Sequence, residues 1–451
     1  MKTTQQIAAE LQGYDPNALS VPAVSNFLAQ LVEPVAERET VALFDALDRV
    51  LAESVVSPIS VPPHDNSAMD GFAFAGDVLD RSSDAEASVR LDVVGTAFAG
   101  AAWRGMVGAG QCVKIMTGAV MPDGLDTVVP QELVTLHMDG RSIEFARKAL
   151  RTGDNRRFAG EDLKQGEVAL AAGTRLSPAA LGLVASLGLA QVTVWRRLKV
   201  AYFSTGDEIL SLGEPPREGA VYDSNRFTVF GLLKRLGVDV LDLGVVRDEP
   251  APLLDVFERA AREADAVITS GGVSVGEADH TRAMMKQLGD VVFWRIAMRP
   301  GRPMAVGRIL SNKSAAASDE SIVFSYQKGS IDRQATVLFG LPGNPVAVMV
   351  TFLAFVRPAL LQMMGCTQPA SPLLRAHSAE PIRKKPGRTE YQRGWVERMA
   401  DGSLSVRTTG NQGSGVLSSM VQANGLIVLP HASGNVAVGD EVDVMMFDGA
   451  I

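Results

Sequence analysis

Charged residues recur beside glycine turns in this chain. Acids stand at Asp65 and Asp70 in PHDNSAMDGFAF, at Asp207 and Glu208 in TGDE, at Asp248 in RDEP, and at Glu277 and Asp279 in TSGGVSVGEADHTR. Arginines stand at 295, 299 and 302 in RIAMRPGRPMAV. The run from Thr269 to Arg282 follows the apolar stretch Ala266 to Ile268. It reads as a strand that stops, a loop whose backbone can approach a ligand, and carboxylates at the rim. Glycine permits both the positive-φ turns and the close approach. The glycines at 271, 272 and 276 do not fit the dinucleotide fingerprint, and no G-K-[ST] closes a phosphate-binding P-loop. A backbone cradle rimmed by acids suits a phosphate held through a divalent cation, because bare carboxylates would repel it. The composition also fits an ordinary glycine turn before a solvated acidic helix start. Arginines beside such a cradle suit an oxyanion clamp; alone they suit an exposed Pro-Gly turn. Asp65, Asn66, Ser67 and Asp70 fit either a ligand-presenting loop or a common Asp/Asn turn. Arg156, Arg157, Glu161 and Asp162 form a mixed cluster of a kind usually solvated.

The elements that must carry these residues change character along the chain. Residues 1–20 read as a loose arm. Helical spacing runs from Pro22 to about Ala52 through Phe27, Leu28, Leu31 and Val32, then Leu43, Leu47 and Val50. Prolines make Val55 to Pro63 an extended connector. Short β runs between glycine turns from Val93 to Phe145 predict a small all-β module, with a hairpin over Asp139-Gly140. In it, IMTGA ends a strand near Thr117. Ser177-Pro178 starts a helix as N-cap and N1. From Lys199, strands ending in TGDE, RDEP, TSGG and GLPGNP alternate with helices, which predicts a parallel doubly wound sheet. Ligands in such sheets bind outside the carboxyl ends of the strands, where every one of these motifs lies. Residues 311–334 read as a Ser/Ala-rich surface insertion. After Pro372, TEYQRGWVER, LSVRTTG, VLSSMVQA, LIVLP and EVDVMMF predict a small β-barrel or sandwich. The fold class is therefore multidomain α/β and β: a helical and linker domain over 1–58 and 147–195, an inserted β domain over 59–146, a central α/β domain over 196–367, and a β domain over 368–451.

At 451 residues, with 46% hydrophobic and 21% charged residues, the chain is an ordinary globular protein. Its net charge of -8 and the lack of a basic run argue against nucleic acid. Cys112 and Cys366 are far apart and support neither a disulfide framework nor a zinc knuckle. With no apolar leader and no uninterrupted apolar run approaching ~20 residues, the expectation is a cytoplasmic protein without membrane contact.

With these pieces assembled, the chain resembles the MoeA family, the molybdopterin molybdenumtransferases of molybdenum-cofactor synthesis. The matching runs are DNSAMDG, IMTGA, STGDE, YDSNR, SGGVSVGEAD, PGRP, GLPGNP, QRG and NQGS, in order along nearly the whole chain. The resemblance implies a homodimer with a cleft between the β module of one copy and the α/β domain of the other. It implies a substrate, adenylylated molybdopterin, and a co-substrate, molybdate. The reaction would be Mg2+-dependent hydrolysis of the phosphoanhydride, with metal insertion and release of AMP, and the molybdopterin adenylyltransferase would be a further partner. By position, the resemblance gives Asp65, Glu208, Asp248 and Asp279 catalytic roles, with Glu208 and Asp279 holding Mg2+. It gives Thr117, Asp162, Ser270, Gly271, Gly272, Ser274, Arg295 and Asn344 to substrate, and Arg299, Pro300, Arg393 and Ser414 to molybdate. Arginine stands at 295, 299 and 302, where lysine is usual in bacterial relatives, and 311–334 replaces a shorter turn. An adenylyltransferase or nucleotide pyrophosphatase built on the same α/β domain is the alternative enzyme, and a non-catalytic scaffold is the alternative outside enzymology. The flanking N-terminal and C-terminal modules argue against the former, and no partner-binding low-complexity arm favours the latter.

Overall fold

The computed structural model describes residues 2–80, 87–273, 280–310, 335–367 and 372–447. Its centre is a six-stranded sheet. In spatial order the strands are Asp239–Val246, Lys199–Thr205, Ala266–Ser270, Ala335–Leu341, Pro303–Leu310 and Gly289–Arg295. The first four are parallel, as the βα alternation predicts. The last two run antiparallel and close the edge. The outermost, Gly289–Arg295, is not among the strands expected from sequence. Chain order reverses about Lys199–Thr205: the next strand in sequence lies on one side of it and Ala266–Ser270 on the other. The helix Ser224–Leu236 begins at Asp223, whose carboxylate accepts from Arg226 N (3.0 Å), and stops at Gly237 in the left-handed region. The helical run Pro345–Met363 includes one wider turn at Phe352–Val356. It is long and apolar enough to span a membrane by length and composition, yet 78% of its most apolar window is buried inside the protein. Here it is the central rod of the largest core, among Val200, Tyr202, Ile268 and Phe339.

The predicted loose arm is instead a docked element. Thr3 and Gln6 form a reciprocal capping box on the helix Thr4–Glu10. Thr4 N donates to Asp290 (2.7 Å), and Ile7, Val24 and Phe27 are buried in the same core as the α/β sheet. Phe27 meets Trp294 edge to face, with centroids 4.8 Å apart. The helical run expected from Pro22 to about Ala52 ends early, at Leu31. Pro34 cannot continue it, and Arg38–Ala42 becomes a strand paired with Gln191–Trp195.

The β module is a six-stranded sheet, and Thr135–His137 pairs with Ser142–Ala146 across the expected Asp139-Gly140 turn. In the C-terminal part, Thr389–Arg398, Leu404–Thr408, Leu374–Ser378, Glu441–Met446 and Gly425–Leu429 close into a five-stranded barrel, because the first also pairs with the last. Closure leaves no bare edge within the ring. Part of VLSSMVQA, expected as a strand, is the short helix Ser418–Val421. One further pairing matters below: Met298–Arg299 lies parallel to Thr389–Glu390 and ties the arginine loop to the barrel.

Candidate functional site

A cavity of about 760 Å³ opens at the carboxyl ends of the parallel strands, where chain order reverses. Thr205 to Glu208 and Gly271 to Val273 form one wall, with Asp248 beside them. Arg299 to Pro303, Pro342 to Asn344, and Gln412 with Ser414 form the other. Acids and arginines thus converge from loops far apart in sequence.

The glycine wall is sterically required. Gly271 has φ +91°, and a Cβ there would stand 2.3 Å from the Thr205 carbonyl oxygen. Gly272 has φ +65°, and its Cβ would lie 2.5 Å from Thr281. Gly271→Ala should therefore lose at least about 2 kcal/mol in chemical denaturation. A loss below about 0.5 kcal/mol would refute the close approach of the two loops. Beneath this wall, buried Ser270 shares hydroxyl hydrogen bonds with Tyr202 (2.7 Å) and Ser204 (3.3 Å). Burial pushes the Tyr202 phenol well above its ordinary range, so it stays protonated. Ser270 is thus a support beneath the loop and does not form part of the cavity wall.

Asp248 and Glu208 differ in their state. The Asp248 carboxylate accepts from Thr281 N (3.1 Å) and Thr281 Oγ1 (2.9 Å), which ties it to the helix His280–Leu288. The Glu208 carboxylate is exposed and has no hydrogen bond or ion pair among the described residues. Its oxygens curl over Gly206, where a Cβ would stand 2.6 Å away. No group of three or more metal-ligating side chains occurs among the described residues. Magnesium commonly takes one or two carboxylates and completes its shell with water and substrate phosphates, an arrangement that Glu208 fits. Asp279 and Ser274, expected at this rim, lie outside the described residues, as does the 311–334 insertion.

A smaller pocket of about 280 Å³ shares Arg299, Pro300 and Gln412 with the main cavity and reaches Arg393 in the barrel. Arg393 is only 1% exposed. Its guanidinium donates to Ser419 Oγ (2.9 Å) and to the carbonyls of Asn411 (3.2 Å) and Gly413 (3.0 Å), and pairs with no carboxylate among the described residues. Burial, and then repulsion from Arg299, pull its pKa down to about 10, so it remains a cation at neutral pH. The Arg299 side chain is exposed and makes no hydrogen bond or ion pair with a described residue. Two guanidiniums that pair with no carboxylate among the described residues, facing shared pockets, have the chemistry to hold an oxyanion. Gln412, not singled out from sequence, locks the site: its side chain accepts from Arg393 N (2.8 Å) and donates to Arg393 O (3.1 Å). Its only signal was its place in the glycine-flanked NQGS run. Ser414 joins the two domains, since its carbonyl accepts from Val346 N (3.2 Å) at the start of the apolar helix. Asn344 caps that helix position without a side-chain bond and faces the main cavity.

Besides Ser270, four expected residues stand apart. Arg295 uses its backbone to bind the arm, through Pro16 O (2.7 Å) and Leu19 N (3.2 Å), and does not line the cavity. Asp65, Thr117 and Asp162 also lie outside its wall. Asp65 is held by Ala159 N (2.7 Å) and by Arg156. Thr117 donates from both N and Oγ1 to Asp70 (2.7 Å each). Asp162 is exposed on the turn after Phe158. The Ala159 amide first, and then Arg156, hold the Asp65 carboxyl below its ordinary value of 3.8. A depressed folded-state pKa stabilises the protein above the ordinary value, and the contribution disappears as pH falls through the folded one. Asp65→Asn should therefore lower Tm at pH 7, and its Tm should converge with the parent's as pH falls below 3.8. A gap that persists unchanged at about pH 2.5 would contradict this linkage.

Residues 19–188 match the family described as MoeA N-terminal region (domain I and II), residues 201–362 the probable molybdopterin binding domain, and residues 375–447 the MoeA C-terminal region (domain IV). The molybdopterin molybdenumtransferase of Haemophilus influenzae is 41% identical over 94% of this chain and 98% of its own. That of a Nostoc species is 34% identical over 94% and 93%. The crystal structure of the molybdopterin biosynthesis moeA protein from Pyrococcus horikoshii superposes with a TM-score of 0.77 at 26% identity, covering 95% of this chain and all of that one. Three family regions in order, and relatives matched over nearly their full length, agree with the loop chemistry: this chain belongs to the MoeA family.

Proposed function

We propose that this chain is a molybdopterin molybdenumtransferase, an enzyme of molybdenum-cofactor biosynthesis. Its substrate is molybdopterin in adenylylated form, its co-substrate is molybdate, and the phosphoanhydride is hydrolysed with release of AMP. One observation carries the reading: a carboxylate, Glu208, with no partner among the described residues, and two guanidiniums, Arg299 and Arg393, that pair with no described carboxylate, face connected pockets at the sheet's switch point. A diphosphate ester and a tetrahedral dianion need those two kinds of group side by side.

Glu208 would hold magnesium, with Asp279 as the family resemblance implies; the ion, when bound, neutralises diphosphate charge and polarises phosphorus. The chain's own groups do the remaining positioning. Gly271 and Gly272 let the backbone approach the ligand where a side chain would obstruct it. Asp248, fixed by Thr281, stands where it can orient the attacking water. Arg299 and Arg393 hold the oxyanion, and Ser414 lies on the same wall. Arginine in place of lysine gives a planar fork for two oxygens of one anion. Asp65, Thr117 and Asp162 act in this reading through a homodimer in which the β module of one copy borders the cavity of the other. The family regions on both sides of the α/β domain favour this enzyme over an adenylyltransferase, a pyrophosphatase or a scaffold.

The test is purified protein with adenylylated molybdopterin, molybdate and magnesium. AMP and metal-loaded cofactor should appear together. No AMP at any magnesium concentration would overturn the assignment, and product from ATP with free molybdopterin would favour the adenylyltransferase.

A further inference from the structure

The smaller pocket contains one carboxylate, Glu390, among three arginines, Arg299, Arg383 and Arg393. Glu390 is 4% exposed. It is also the register partner of Arg299 across the parallel strand pair, so the two residues sit side by side. Buried carboxylates seek cations, and the pairing expected from proximity alone is Glu390 with Arg299. Such a pair would fill the pocket with its own counter-charge.

That pair is not formed. Arg388 Nε donates to Glu390 Oε1 (2.8 Å), and Gln392 Nε2 donates to Oε2 (3.2 Å). Gln392 is itself anchored on Arg383 O (3.3 Å). Glu390 and Gln392 alternate along the strand Thr389–Arg398 and so share one face, and Arg388 stands immediately before that strand. Both carboxylate oxygens are therefore occupied from within the barrel. The nearby Lys384 does not compete, because its ammonium is held by the carbonyls of Ser433 (2.8 Å) and Lys385 (3.2 Å).

We infer that Arg388 is a positioning residue that holds Glu390 away from Arg299 and Arg393 and thereby keeps the anion pocket open. Arg388 does not line the pocket and is not a ligand of the anion. It acts by engaging the one group able to neutralise those that are. Without it, Glu390 turns to Arg299 and competes with any incoming oxyanion. The inference rests on the anion-binding reading of this pocket.

The experiment is titration of the full-length protein with molybdate alone, followed calorimetrically. Arg388→Ala should weaken molybdate about tenfold. Adding Glu390→Gln to it should return the affinity to that of the parent or better, because the competing charge is gone. A merely structural role for Arg388 would leave the double variant as weak as the single one, and that result overturns the inference, as does unchanged affinity in Arg388→Ala. Should Arg388→Ala fail to fold, Glu390→Gln alone decides: it should bind molybdate severalfold tighter, and equal or weaker binding overturns the inference. A parent protein that binds no molybdate at all removes the anion site itself, a failure distinct from parent binding with no effect of Arg388→Ala.

Discussion

Glu208→Gln is expected to reduce the rate of AMP release by about 10³-fold while leaving the fold intact. The substitution keeps shape and removes one negative charge. That charge has no partner among the described residues, so no ion pair is broken by its loss. The backbone of Glu208 is held independently, since its carbonyl accepts from Val221 N (2.9 Å) in the small lobe where Ile209–Leu210 pairs with Val221–Tyr222. Exposed substitutions away from such contacts usually change stability by under about 0.5 kcal/mol. Rate and stability should therefore separate. If Glu208 helps to hold magnesium, the variant should also need a higher magnesium concentration for half-maximal rate. Single-turnover AMP release across a magnesium series measures both, and a turnover within a factor of three of the parent would remove Glu208 from the proposed chemistry.

Arg393→Ala is expected to weaken molybdate by roughly 100-fold, in line with the loss of a charge-assisted hydrogen bond in a buried site. Here fold and function do not separate. The guanidinium also serves Ser419, Asn411 and Gly413, and its removal leaves buried acceptors without a donor, at a cost of about 2 kcal/mol in stability. Arg393→Lys distinguishes the two effects. It keeps the charge and loses the planar fork, so it should recover part of the anion affinity and little of the loop order. Calorimetric binding with parallel thermal melts reads both quantities. Parent-like affinity in Arg393→Ala would show that the oxyanion does not use this pocket.

Much of the central domain was legible because its elements report on themselves. Strand Lys199–Thr205 is an apolar run cut by Thr-Gly, and the helix after Asp223 has its cap and its stopping glycine in the sequence. Glu208 and Asp248 sit beside those punctuation marks, so their place at one sheet edge followed from the βα alternation. The docked N-terminal helix was not legible. Ile7, Leu11 and Tyr14 make a sparse pattern, and the helix is ordered by Asp290 and by a core that it shares with Trp294, far along the chain. The edge strand Gly289–Arg295 was hidden for a similar reason, since β pairing depends on the neighbour as much as on the run itself.

Residue types and local backbone demands belong to the sequence alone. It placed positive-φ glycines at 271 and 272, carboxylates after the strands, and arginines around a Pro-Gly turn. Those properties depend on each residue and its immediate neighbours. Tertiary structure decided which charges meet and which are cancelled. Arg299 and Glu390 become register partners only when the arginine loop adds itself to the barrel. Arg388 then takes the carboxylate, and Arg393 is left among carbonyls. Net charge could not reveal this, because at short range in a buried pocket the geometry of individual pairs outweighs the overall balance of -8.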